Sequence, residues 1–123
     1  MKVAQEHGFV DMGQGVEIMD GIGEFKIPAP KGAKHLKYDL MGKGFEHSDS
    51  ILNLAHGKGH AMGGFGANLK NQSIGIASRN GKAYIHSCGK TTSPKLCWAL
   101  PYKQVSFIES MAEAAMAVSD YLK

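Results

Sequence analysis

Long apolar runs are missing from this chain: none of its 123 residues lies in a stretch approaching the ~20 needed to cross a membrane. The amino terminus lacks a signal-peptide core as well, so the expectation is a cytoplasmic protein with no membrane partner. Cysteine is scarce, represented by Cys88 and Cys97 alone. Two thiols at that spacing make neither a Cys-x-x-Cys redox pair nor a four-cysteine cluster or zinc framework. The plain reading is two reduced thiols, one or both buried, while Cys88, close behind His86, stays open as a metal ligand. No lysine/arginine stripe is interleaved with aromatics, and the net charge of +3 is mild and spread out, which argues against a nucleic-acid partner. Tryptophan occurs once, and Trp98 reads as a packing anchor for a long loop. Repeats, linkers and low-complexity segments are also absent. With 43% hydrophobic and 20% charged residues, the chain reads as one folded domain, 1–123. A chain of this size buries roughly two-thirds of its unfolded surface.

What is present is concentrated between His56 and His86, where histidine, lysine and glycine cluster. Binding and catalytic groups favour loops held by rigid elements, and glycine lets backbone approach a ligand closely. Around this stretch the pattern predicts strands at Val16–Met19 and Phe25–Ile27, paired as a hairpin, and a third over Lys34–Leu40. Ser50–Ala55 reads as a buried strand that delivers the chain into His56-Gly-Lys-Gly-His60. A short helix is expected over Gly66–Gln72. Arg79-Asn80-Gly81 between apolar runs predicts a hairpin of Ile74–Ser78 with Lys82–His86, with a continued helix as the rival. Ser87–Tyr102 reads as irregular. Ser106-x-x-Glu109 has the form of a capping box, opening a helix striped by Phe107, Ile108, Met111, Ala115, Val118 and Leu122. The fold class is therefore α/β: a small mixed sheet with flanking helices and a long C-terminal amphipathic helix on one face. Met1–Gly8 looks like the last turns of something longer. An unfinished sheet edge invites pairing, which predicts a homo-oligomer, most simply a two-fold dimer.

The chemistry of the central stretch is bounded by what it fails to match. Neither a Gly-x-x-x-x-Gly-Lys-Ser/Thr phosphate loop nor a dinucleotide Gly-x-Gly-x-x-Gly occurs. His56 and His60 are separated by Gly-Lys-Gly, which supplies neither the helix nor the general base of a zincin. Glycine-rich backbone at Gly63, Gly64 and Gly66 with Lys58 and Lys70 nearby suits a small anionic ligand or an anionic cofactor. His60 and His86 can move protons near neutral pH or ligate a borderline metal such as nickel or zinc. These two are the candidate catalytic and metal residues. The competing reading is that the glycines serve tight turns alone.

The run from His56 to Lys82 closely resembles the signature of an uncharacterised family. Its members are often labelled Fe–S centre proteins and carry a domain of unknown function (family 362). The likeness continues through Ile85-His86-Ser87, weakens to Tyr102, and returns at Phe107–Ala115, so it covers the chain from about Lys34. Many relatives place ferredoxin-type cysteines after the Ile-His-Ser region. With only Cys88 and Cys97 there, no iron–sulfur cluster is expected in this chain alone, and the chain reads as a shortened or partial family domain. A more distant likeness is to lactate racemase, in which a lysine carries a nickel-pincer nucleotide and a later histidine ligates nickel. His60, Lys70 and His86 keep that order, and Gly64-Phe65-Gly66 and Gly75-Ile76-Ala77 match the intervening pieces. The racemase's preceding nucleotide and substrate segments have no counterpart. The resemblance thus implies a site: Lys70 and His86 on one wall, Gly63–Gly66 as floor, His60 opposite. It leaves two classes of function. One is a metal- or cofactor-dependent enzyme acting on a small, hydroxy-acid-like anion. The other is a non-catalytic ligand- or partner-binding domain of a redox system.

Overall fold

A computed structural model describes residues 2–10, 15–101 and 103–122. The first helix, α1 (Lys2–Glu6), is a little over one turn long, buries none of its residues, and passes into Gly8 at φ +77°. Val16–Met19, expected as a strand, has no regular structure, and Ile18 is exposed. Its expected partner is taken: β1 (Glu24–Pro28) pairs antiparallel with β2 (Tyr38–Gly42), Phe25 facing Met41 and Ile27 facing Asp39. That choice buries Ile27 and Met41 on the face that meets the last helix. Pro28 closes β1, since proline has no N–H for the ladder.

A one-turn 3-10 helix (Lys43–Phe45) leaves β2. Ser50–Ala55 then runs without regular structure, and Leu52 and Leu54 are 83% and 81% exposed, so the buried strand expected here is absent. No other segment lies beside it to complete a ladder among the described residues. A hairpin of two three-residue strands follows, β3 (Lys58–His60) and β4 (Gly64–Gly66). The sheet component is therefore two separate antiparallel pairs inside an α/β fold.

From α2 (Asn68–Lys70) the chain continues as a π-turned segment, Asn71–Gly75, and then α3 (Arg79–His86). The Asn-Gly hairpin is thereby overturned in favour of its helical rival. Ser78 caps α3 by accepting from Gly81 N–H at 2.9 Å, and its hydroxyl reaches Glu24 Oε2 at 2.5 Å. Gly81 is needed for a reason unrelated to turns: a Cβ there would overlap the Leu40 carbonyl, because α3 crosses β2 at that point. Residues 76–78 also run along β2, with Gly42 N–H donating to Ile76 O and Ser78 N–H to Leu40 O.

After α4 (Pro94–Cys97), the eighteen-residue α5 (Gln104–Tyr121) gathers the core. Phe107, Met111 and Ala114 pack with Leu36, Ile74, Ala77, Tyr84 and Ile85. One turn on, Ala117 and Val118 meet Ile27 and Met41. The capping box is not made: Lys103 is the N-cap, Ser106 lies inside the helix, and Glu109 turns instead to His35 and Lys34. His35 and Lys34 hold the Glu109 carboxyl below its ordinary range. Glu113, buried, accepts from the consecutive backbone N–H groups of Lys34, His35 and Leu36 at 2.7–3.3 Å. Loop 30–36 is thus strapped to α5 by two carboxylates one helical turn apart. One polar group in the core is poorly served. Asp39 is fully buried, its Oδ1 accepts from Leu40 N–H, its Oδ2 has no partner, and burial pushes its carboxyl up to about 6. No helix among the described residues is long and apolar enough to cross a membrane.

Candidate functional site

The β3–β4 hairpin turns through Ala61, Met62 and Gly63, and Gly64 adopts φ +71°, the left-handed residue that closes three-residue hairpins. His60 finishes the turn with its own side chain. Its Nδ1 accepts from Gly63 N–H at 3.0 Å and Met62 N–H at 3.3 Å. An imidazole that accepts at Nδ1 carries its hydrogen on Nε2, so His60 offers a donor outward. Gly63 sits over the core here: a Cβ would lie 3.6 Å from Met111 Cε.

His86 has the opposite polarity. At the end of α3 its Nδ1 lies 2.7 Å from Lys82 O, so Nδ1 carries the hydrogen and Nε2 keeps a lone pair. Its ring stacks on Phe107 (centroids 4.9 Å, 27°) and tilts against Trp98 (5.3 Å, 52°). Burial lowers the His86 pKa below the ordinary histidine value; the Lys82 carbonyl opposes this, and the charges of Lys70 and His60 lower it further. His86 is therefore a neutral imidazole at neutral pH, with the Lys70 ammonium in electrostatic reach. Phe107 and Met111 are four residues apart on α5, so the ring on Phe107 and the turn over Met111 sit about one helical turn apart.

Lys70 and His60 both lie within electrostatic reach of His86. Lys70 is half-buried in α2 and makes no ion pair among the described residues. Lys58 shares the His60 face of β3 but is exposed. Gly66 is buried between Lys58 and His60, while Gly64 is exposed at the tip. The helix start lies at Asn68, past the glycines. His56 is exposed and takes no part. Trp98 is 67% exposed, so it is no buried anchor; it borders a cavity of about 70 Å³ with Met62, His86, Cys97, Leu100 and Pro101. Trp98 and Phe107 as neighbours of His86 could not be read from the sequence, because the contacts join α3, α4 and α5. Burial raises the Cys97 thiol, and no group of three or more His, Cys, Asp or Glu side chains converges on a metal-sized point among the described residues. A larger groove of about 430 Å³ lies elsewhere, between residues 51–54 and the π-turned segment.

Residues 1–123, the whole chain, match the family described as domain of unknown function, DUF362. The chain belongs to the DUF362 family. No curated protein and no solved structure matches it. In this DUF362 chain the run His56–His86 builds four things in sequence: a histidine-closed hairpin, a lysine-bearing helix, a π turn, and the helix that carries His86.

Proposed function

We propose that this DUF362 chain supplies the basic wall of a site for a small anion, and that His86 is its working group. The observation that carries the proposal is the pair of opposed tautomers. His86 keeps a free Nε2 lone pair under the influence of Lys70, and His60 turns an N–H donor outward. Lys70 would neutralise a carboxylate or phosphate, His60 would donate to it, and His86 would take a proton from a hydroxy-acid-like substrate. Because its pKa is depressed, His86 would stay a competent base below the usual histidine range.

The same residues accommodate a metal-bearing anionic cofactor in part. His86 Nε2 is ready to ligate nickel or zinc, and His60 could join after giving up its turn hydrogen bonds. Lys58, Lys70 and the backbone of Gly63, Gly64 and Gly66 would face the anionic portion. Two imidazoles leave the remaining ligands to the cofactor, and a bound metal would supply Lewis-acid polarisation of a substrate oxygen. A second reading is a partner-binding domain of an iron–sulfur redox system, and it draws on the exposed Phe65, Leu96 and Trp98.

Calorimetric titration with inorganic phosphate and a 2-hydroxy carboxylate, and metal analysis of untagged protein, test the proposal. Lys70→Ala and His86→Ala should each abolish uptake; Lys70→Ala should barely move the melting temperature, while His86→Ala should lower it modestly through the packing lost against Phe107 and Trp98 without unfolding the chain. Undiminished binding in both variants, or unfolding of both, would return the motif to a purely structural role.

A further inference from the structure

We propose that Ser50–Gly57 is an unpaired β edge that joins antiparallel to the same segment of a second copy of this chain. From Asp49 to Gly57 no backbone group enters a backbone hydrogen bond among the described residues. Burial nevertheless alternates as in a strand: Ile51, Asn53 and Ala55 are half-buried, and Leu52 and Leu54 face solvent. The inner side is pinned, with Asn53 Nδ2 donating to Asn68 O at 2.9 Å and Asn71 Nδ2 to Leu54 O at 3.4 Å. A held, unpaired edge carrying exposed leucines is a template for another strand.

The sequence of the edge selects the partner. Ile51-Leu-Asn-Leu-Ala55 reads nearly alike in both directions about Asn53. Antiparallel pairing centred there sets Leu52 opposite Leu54 of the second copy, twice, and Ile51 opposite Ala55, which is the self-complementarity a two-fold contact requires. Charge agrees. Asp49 precedes the segment, and His56 and Lys58 end it, so antiparallel pairing brings acidic to basic and parallel pairing brings like to like. Beside the edge, the groove bounded by Phe45, Ile76 and Leu122 gives further leucine side chains an apolar place to settle.

Sedimentation velocity on the whole chain at roughly tens of micromolar should show a dimer. Leu52→Lys, which sets a lysine against Leu54 of the second copy, should weaken association by about tenfold or more. Adding Leu54→Asp should restore it, because each lysine then faces an aspartate. Both side chains are exposed, so circular dichroism of the variants should match wild type. A wild-type monomer throughout this range would assign the edge to a different occupant, a small apolar ligand or a strand of another protein, and overturn the proposal. So would a Leu52→Lys variant that dimerises normally, or a double variant that stays monomeric.

Discussion

The part of the molecule packed on α5 and the part running from Ser50 to Gly66 are held together by different means. Around α5, distant segments meet through buried side chains: Phe107 and Met111 gather Leu36, Ile74, Tyr84 and Ile85, and Glu113 ties down the backbone of 34–36. Between Ser50 and Gly66 the chain relies on local devices. His60 closes its own turn, Gly64 takes a conformation other residues resist, and Leu52, Leu54 and Phe65 stay in water. The contrast teaches where each kind of constraint belongs. The core fixes His86 by packing, and the loop fixes His60 by hydrogen bonds across four residues. The candidate site sits on the seam.

Substitutions should separate the two regions by size of effect. Met111→Asp puts an unpaired charge in the buried core beneath the His60 turn, where loss of about 4 kcal/mol or more is expected, enough to unfold or aggregate a small domain. An unchanged melting temperature would remove α5 from the core. Asp39 tests a flaw in that core, its unpartnered Oδ2. Its carboxyl stands at about 6 in the folded chain against an ordinary 3.8. A raised acid favours the fold fully below its unfolded value and loses that contribution as pH climbs through the folded value, here between about 4 and 6. The difference corresponds to an order of 3 kcal/mol. Asp39→Asn should therefore gain stability over wild type at pH 7 but not at pH 4, as read from urea melts at both. Equal differences at the two pH values would show that burial is not the controlling cost. Gly64→Ala is the smallest of the three. It forces a left-handed residue at the hairpin tip and should cost about 1 kcal/mol without loss of the fold. A loss as large as that of Met111→Asp would mean the hairpin is part of the core after all.

Legibility in the sequence followed the same division. The stripe of Phe107, Met111, Ala115 and Val118 was readable because helical period and burial coincide, and Ile108 strays from it only by edging out of the buried arc. The Asn80-Gly81 signal misled because Gly81 answers to the Leu40 carbonyl, a contact distant in sequence that no local pattern encodes. Ser106 and Glu109 misled for the same reason, with His35 and Lys34 outcompeting the helix's own N–H for the carboxylate. Ser50–Ala55 misled because a compact apolar run signals a buried strand only where a neighbouring segment covers and pairs with it, and here Leu52 and Leu54 are exposed and the segment has no regular structure. For the candidate site, residue types and order were visible in advance. The opposed hydrogen positions on His60 and His86 were not, because they depend on which backbone groups each ring meets.

The strap between Glu113 and residues 34–36 has a kinetic consequence. Its bonds close loops of 77 to 79 residues, and the helix that supplies them is made after every other element described here. Loop closure on that scale raises contact order and slows folding. On a ribosome, β1, β2 and the histidine hairpin would emerge well before the helix they need as a surface. They would have to wait, with their apolar sides uncovered, until α5 cleared the exit tunnel. Packing of these elements should therefore wait for α5, and the interval before α5 docks is when they are most exposed to aggregation and to chaperones.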